Sequence, residues 1–198
     1  MRRAEIEEQN QYLLKRQRDF RLAADIVTDA LAPFEEVEAI SLIGSVAKPL
    51  WKEIPRFREF RDARIKVWHE CKDLDLAVWV SSQHRLGPIR HAKDVALRDG
   101  YERGVGPSIA SHELDIFLIE PGTDRYLGRL CRYNACPKNK PNCWVSGCGA
   151  MPFNKVVDGF VADATLLAPA AYAMLYRRGE GRLRSALDLP ATDDTEPA

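Results

Sequence analysis

Two short apolar runs carry the residues whose types and spacing suit chemistry. The first, Cys71-Lys72-Asp73-Leu74-Asp75-Leu76-Ala77-Val78-Trp79-Val80, reads as a strand bearing Asp73 and Asp75. The second, Glu113-Leu114-Asp115-Ile116-Phe117-Leu118-Ile119, reads as a strand bearing Asp115. Side chains two apart on a strand share a face, which sets Asp73 and Asp75 about 7 Å apart on one side. Carboxylates that close repel, and a divalent cation between them relieves the repulsion. If the two strands are neighbours, Asp115 completes an all-oxygen site suited to Mg²⁺ or Mn²⁺. Ala77 and Trp79 share the carboxylate face, so its remainder is apolar, as in a pocket. The alternative is the solvent side of an amphipathic edge strand, with Asp115 on the surface or paired with an arginine. Glu113 is either a further ligand or a bystander.

A second constellation is Cys131, Cys136, Cys143 and Cys148, in the spacing C-x4-C-x6-C-x4-C. Four thiolates within 18 residues, interleaved with Pro and Gly, describe a tight loop, and tetrahedral sulfur suits a closed structural Zn²⁺ site. An iron–sulfur cluster, two disulfides or unligated thiols are the other readings. Cys71 reads as a lone thiol. His69, His84, His91 and His112 lack zinc-protease spacing, and no phosphate-loop, nucleophile-elbow or dinucleotide fingerprint occurs.

The elements that must position these groups are legible as an α/β (α+β) chain. With 198 residues and 45% hydrophobic content it can bury a full core. Apolar residues from Ile6 to Leu31 recur at helical spacing before Pro33, giving an N-terminal helix within residues 1–34. Residues 35–125 form the core: a strand over Glu36–Ile43 ending at Gly44-Ser45, the Asp73 strand, a helix from Leu86 or Ile89 to about Tyr101, and the Asp115 strand. Residues 126–150 hold the cysteine loop. A second helix is expected over Phe153–Arg178, within a helical segment 151–187, and a disordered acidic tail over 188–198. Formal net charge is zero, and the body without that tail has 29 basic against 25 acidic residues. The whole molecule is therefore no electrostatic trap for nucleic acid. There is no apolar leader and no run near the roughly 18 apolar residues of a membrane span, so the expectation is a cytoplasmic address without a membrane.

The ordered series Gly44-Ser45 after a strand, Asp73-Leu74-Asp75 on the next and Asp115 on a later one resembles the DNA polymerase beta-like nucleotidyltransferase superfamily, in particular its small bacterial minimal members. The likeness covers roughly residues 36–120. It implies a nucleotidyltransferase fold, a small mixed sheet flanked by helices. It also implies metal-dependent transfer of a nucleoside monophosphate from a nucleoside triphosphate to a hydroxyl, releasing pyrophosphate. By that likeness Asp73, Asp75 and Asp115 are catalytic and hold Mg²⁺ or Mn²⁺, while Gly44, Ser45 and Lys48 receive the nucleotide. Free amides and a hydroxyl at such a strand end suit a triphosphate. The acceptor is left open among a small molecule, a protein and an RNA end. The alternative the likeness offers is an antitoxin-like or degenerate domain that binds a cognate protein partner, with the apolar stripe of a helix such as 4–32 as contact. Two departures stand out. Ser45 and Asp73 are 28 positions apart, which marks residues 49–68 as an insertion beside the site, and Pro49 replaces a glycine common after the basic position.

Overall fold

The computed structural model describes residues 3–131, 151–157, 159–162, 166–168 and 171–193. Its centre is a seven-stranded mixed sheet of order β7-β6-β5-β4-β1-β8-β9. The strands are β1 (Val37–Ile43), β4 (Leu74–Val80), β5 (Leu114–Ile119), β6 (Tyr126–Leu130), β7 (Asn154–Lys155), β8 (Tyr172–Arg177) and β9 (Gly181–Arg182). Two helices, α1 (Arg3–Leu31) and α3 (Leu86–Glu102), cover one face. A separate two-stranded ribbon, β2 (Lys52–Glu53) with β3 (Val67–Trp68), and the short α2 (Arg58–Asp62) make up the insertion.

Alternation along the strands sorts residues between the two faces. The face bearing Leu42, Leu76, Val78, Ile116 and Leu118 packs on Phe20, Val27 and Leu31 of α1 and Leu86, Ile89 and Leu97 of α3. The opposite face carries a smaller cluster of Ala39, Ile43, Ala77, Trp79 and Ile119, with Leu166, Leu167, Tyr172 and Met174 against it. Among the described residues, then, the long helices lie on one face only. That leaves the carboxylate face to loops. β4 and β5 run parallel, as their connection through α3 allows, while β1 is antiparallel to both β4 and β8.

Four expectations are corrected. The Asp73 strand begins only at Leu74, so Asp73 lies outside β4 and is exposed. Over 153–178 the described residues form β7 and β8 instead of a helix. Phe153 and Gly159 have positive φ, which no helix accommodates, and Ala173 and Leu175 alternate inward against β1 with Tyr172, Met174 and Tyr176. The tail is docked through residue 193: Leu50 N–H donates to Ala191 O (2.9 Å) and Asp193 N–H to Leu50 O (3.0 Å). Residues 194–198 lie outside the described part. Finally, the apolar stripe of α1 is in the core, with Leu13, Phe20, Ala23, Ala24, Val27 and Leu31 buried, and is not a free partner surface.

Charged groups anchor the docked tail. Arg21 of α1 is buried and donates to four backbone carbonyls, those of Val46, Lys48, Leu189 and Pro190. Asp25, one turn on, accepts from Ser185 Oγ, from Ala186 N–H (2.8 Å) and from Arg182. One helix thereby ties the C-terminal segment to the loop after Gly44-Ser45.

Of the cysteine loop, Cys136, Cys143 and Cys148 lie outside the described residues, and a four-cysteine zinc loop is not shown. Cys131 is described: its N–H donates to Phe153 O at 2.8 Å. β6 leads into the segment 132–150 and β7 leaves it, paired antiparallel through Arg129↔Lys155 and Leu130↔Asn154. The two ends of that segment are thus held side by side. No described helix is long and apolar enough to cross a membrane.

Candidate functional site

β1 finishes at the level where β4 and β5 begin, and the register places the site there. Ile43 faces Asp75 across the antiparallel pair, and Asp75 faces Asp115 across the parallel one. Neighbouring strands are about 4.8 Å apart, so the two carboxylates rise side by side from one face. Beyond Ile43 the chain turns through Gly44 at φ +74° and ψ −156°, a region essentially reserved for glycine. A Cβ at Gly44 would lie 3.1 Å from Asp75 Oδ2. Glycine is therefore required twice over, for its backbone angles and for the closeness of the carboxylate.

The electrostatics of the pair are unequal. Asp75 is half-buried and accepts no hydrogen bond or ion pair from the described residues. Burial, then the neighbouring Asp115 and Asp73, push its carboxyl up to about 6, with Arg129 opposing. Asp115 is instead held by Arg129 Nη1 at 2.7 Å. Arg129 lies on β6, opposite Phe117 on the same face as Asp115, and reaches it along the diagonal. Asp73 adds an exposed carboxylate at the entrance to β4.

The remaining expected site residues fall into two groups. Ser45 opens a short 3-10 turn (Ser45–Ala47), and its hydroxyl meets the Cys71 thiol, which burial pushes up. Lys48 is exposed, and its backbone is fixed at both ends. Its N–H donates to Ser45 O (3.2 Å), while its carbonyl accepts from Gln17 (2.9 Å) and Arg21 (3.1 Å). Glu113 is removed from the carboxylate group: it pairs with Arg16 at 2.7 Å and accepts from Ala110 N–H at 2.8 Å. It staples α1 to the start of β5. His112 is exposed.

The alternative that Asp115 pairs with an arginine is what the structure shows, with Arg129 the partner the sequence left unnamed, while Lys93 and Arg21 were missed. Lys93 of α3 is buried and donates to the Ser111 carbonyl and hydroxyl, each at 3.0 Å, beneath the start of β5. Burial lowers its pKa and Asp94 opposes the shift. The alternation of β6 could have pointed to Arg129; Lys93 meets Ser111 only 18 positions on, whereas Arg21 reaches carbonyls up to 169 positions away.

Chemically, the site offers hard oxygen donors, one arginine and a glycine-lined strand end. Among the described residues, no group of three or more His, Cys, Asp or Glu side chains is gathered to hold a metal ion by itself. Asp73, Asp75 and Asp115 thus share an end of the sheet without forming a closed three-ligand cage. No protein-family model, curated protein or solved structure matches the chain.

Proposed function

We propose that the chain is a metal-dependent nucleotidyltransferase that moves a nucleoside monophosphate from a nucleoside triphosphate to a hydroxyl acceptor. The observation that carries this reading is Asp75. It is an inward-placed carboxylate, unpartnered among the described residues, in register with Asp115 and against the Gly44 turn. A fold retains such a group at a cost in stability, and a cation removes the cost.

The donor set fits Mg²⁺ or Mn²⁺ in one specific way. Mg²⁺ is commonly held by one or two carboxylates together with substrate phosphates, not by an all-protein cage. Asp75 and Asp115 supply two carboxylates, and exposed Asp73 can swing in as a third. The bound ion would polarise the phosphoryl oxygens and neutralise developing charge. The chain's own residues do the rest. The backbone at Gly44-Ser45 receives the triphosphate, since glycine adds no side chain of its own there. Lys48 offers a positive charge on a backbone that Arg21 and Gln17 fix. Arg129 pairs with Asp115 and limits its rotamers, and would be free to meet phosphate if Asp115 held the ion.

The order Gly-Ser, Asp-x-Asp, Asp supports membership of the polymerase beta-like superfamily. The antitoxin-like alternative loses its natural contact, because the α1 stripe is buried. Cys131, Cys136, Cys143 and Cys148 are proposed to hold a structural Zn²⁺. The support is that β6 and β7 bring the two ends of their segment together.

The test needs no acceptor. Thermal unfolding is followed with each of four nucleoside triphosphates, with and without Mg²⁺ or Mn²⁺. Wild type should gain several degrees with at least one triphosphate only when metal is present, and Asp75→Asn should gain none. A folded sample that responds to no triphosphate would refute the reading.

A further inference from the structure

The insertion, which the transfer chemistry above does not use, forms an open cleft of about 820 Å³ against the N-terminal half of α1. That volume falls in the range of small-molecule sites. Gln9 and Leu13 of α1 form one wall, and Phe57 and Phe60 the other, while Trp68 and His69 complete the lining. The walls are tied together: Trp68 N–H donates to Asn10 Oδ1 of α1 at 3.0 Å. Phe57 is 63% exposed at the mouth, a large ring that the fold leaves uncovered.

His69 is oriented as a hydrogen-bonding group in this cavity. Its Nδ1 lies 2.9 Å from Glu53 Oε1, and Glu53 Oε2 accepts from the Trp51 indole N–H at 3.1 Å. The Trp51 ring stacks on the imidazole at 4.0 Å with 20° between planes, and His69 N–H donates to Trp51 O at 2.8 Å. A carboxylate only accepts, so Nδ1 must carry the proton shared with Glu53, and neutral imidazole then presents Nε2 as an acceptor. Among the described residues nothing bonds Nε2. Two contacts hold the ring, a backbone bond holds its residue, and the ring's one acceptor is bonded by no described residue, in a cavity lined by three other aromatic side chains and by charged ones of both signs.

We propose that this cavity binds a small planar apolar molecule bearing a hydroxyl group, the hydroxyl donating to His69 Nε2 and the ring system lying against Phe57, Phe60 and Trp68. Lys72 also lines the cavity and immediately precedes Asp73. A molecule filling the space therefore extends toward the carboxylate end of β4. Its use as the nucleotidyl acceptor rests on the function proposed above; its binding does not.

The probes are 2-naphthol and 2-methoxynaphthalene, which share a planar body and differ in the donor hydrogen. Affinities are measured by calorimetry on the full chain without nucleotide. Wild type should bind 2-naphthol about fivefold more tightly than the methyl ether, the worth of one hydrogen bond. His69→Phe keeps the stack on Trp51 and should erase that preference. Glu53→Gln frees the tautomer and should reduce it. Phe57→Ala should weaken both probes alike, and Asp75→Asn should change neither, which separates this site from the metal-dependent one. Failure of wild type to bind either probe, equal affinity for the two, or a preference surviving in folded His69→Phe would each overturn the proposal.

Discussion

The α1 latch and the carboxylate end of the sheet both bring charge toward the interior, and the fold treats them oppositely. At the α1 latch, Arg21 reaches four carbonyls and Asp25 accepts from Ser185, Ala186 and Arg182. At the sheet end, Asp75 receives no bond from the described residues and lies beside a second carboxylate. Buried charge with a full set of partners serves the fold. Half-buried charge left without them, its carboxyl raised to about 6, is what the proposed cation would offset.

The contrast can be broken first at the latch. Asp25→Ala leaves Arg182, the Ser185 hydroxyl and the Ala186 amide without their shared acceptor, and should cost about 3–5 kcal/mol. For a domain of this size that lowers Tm by about 10 °C, read by calorimetry. Removing Asp75 should do the reverse. Its folded pKa, about 6, lies above the ordinary 3.8, so the folded state holds a proton that the unfolded state has released between those values. Stability from this group is therefore lost as pH rises through that window. Asp75→Asn should accordingly stabilise the metal-free protein by about 3 kcal/mol well above pH 6 and by almost nothing below pH 4, read from denaturation at the two extremes.

Smaller effects sharpen the same comparison. Gly44→Ala places a Cβ against the Asp75 carboxylate at a positive φ and should cost about 1–2 kcal/mol. Part of that cost should disappear in the Asp75→Ala background, as a double-mutant cycle would read. Arg129→Met removes a partly exposed ion pair and should change stability by about 1 kcal/mol or less. Yet it should raise the carboxyl pKa of Asp75, because Arg129 is the cation that opposes the rise.

The sheet end was the most legible part of the sequence, because strand alternation and a short apolar run fix both face and neighbour. Asp75 and Asp115 come together as read. Asp73 does not share the strand, since β4 starts one residue later and a two-residue pattern cannot locate that boundary. The region after the cysteine loop was misread for a physical reason. Val156, Val157, Phe160, Leu166 and Leu167 mimic a helical period, but Ala162, Leu166 and Leu167 cover the second face of the sheet, which the sequence did not reveal as needing cover. The latch is not legible in the sequence, because it joins Arg21 and Asp25 to partners some 160 residues downstream as well as to the loop after Ser45. The Glu53–His69–Trp51 group escaped notice because it forms only when β2 and β3 pair.

The central claim is that Asp75 is a ligand in waiting. The most direct measurement is Mn²⁺ binding by electron paramagnetic resonance at pH 7.5, with a nucleoside triphosphate present, for wild type and Asp75→Asn. Wild type should take up the ion and the variant should lose it while keeping a native thermal transition. Equal Mn²⁺ uptake by both proteins would contradict the account.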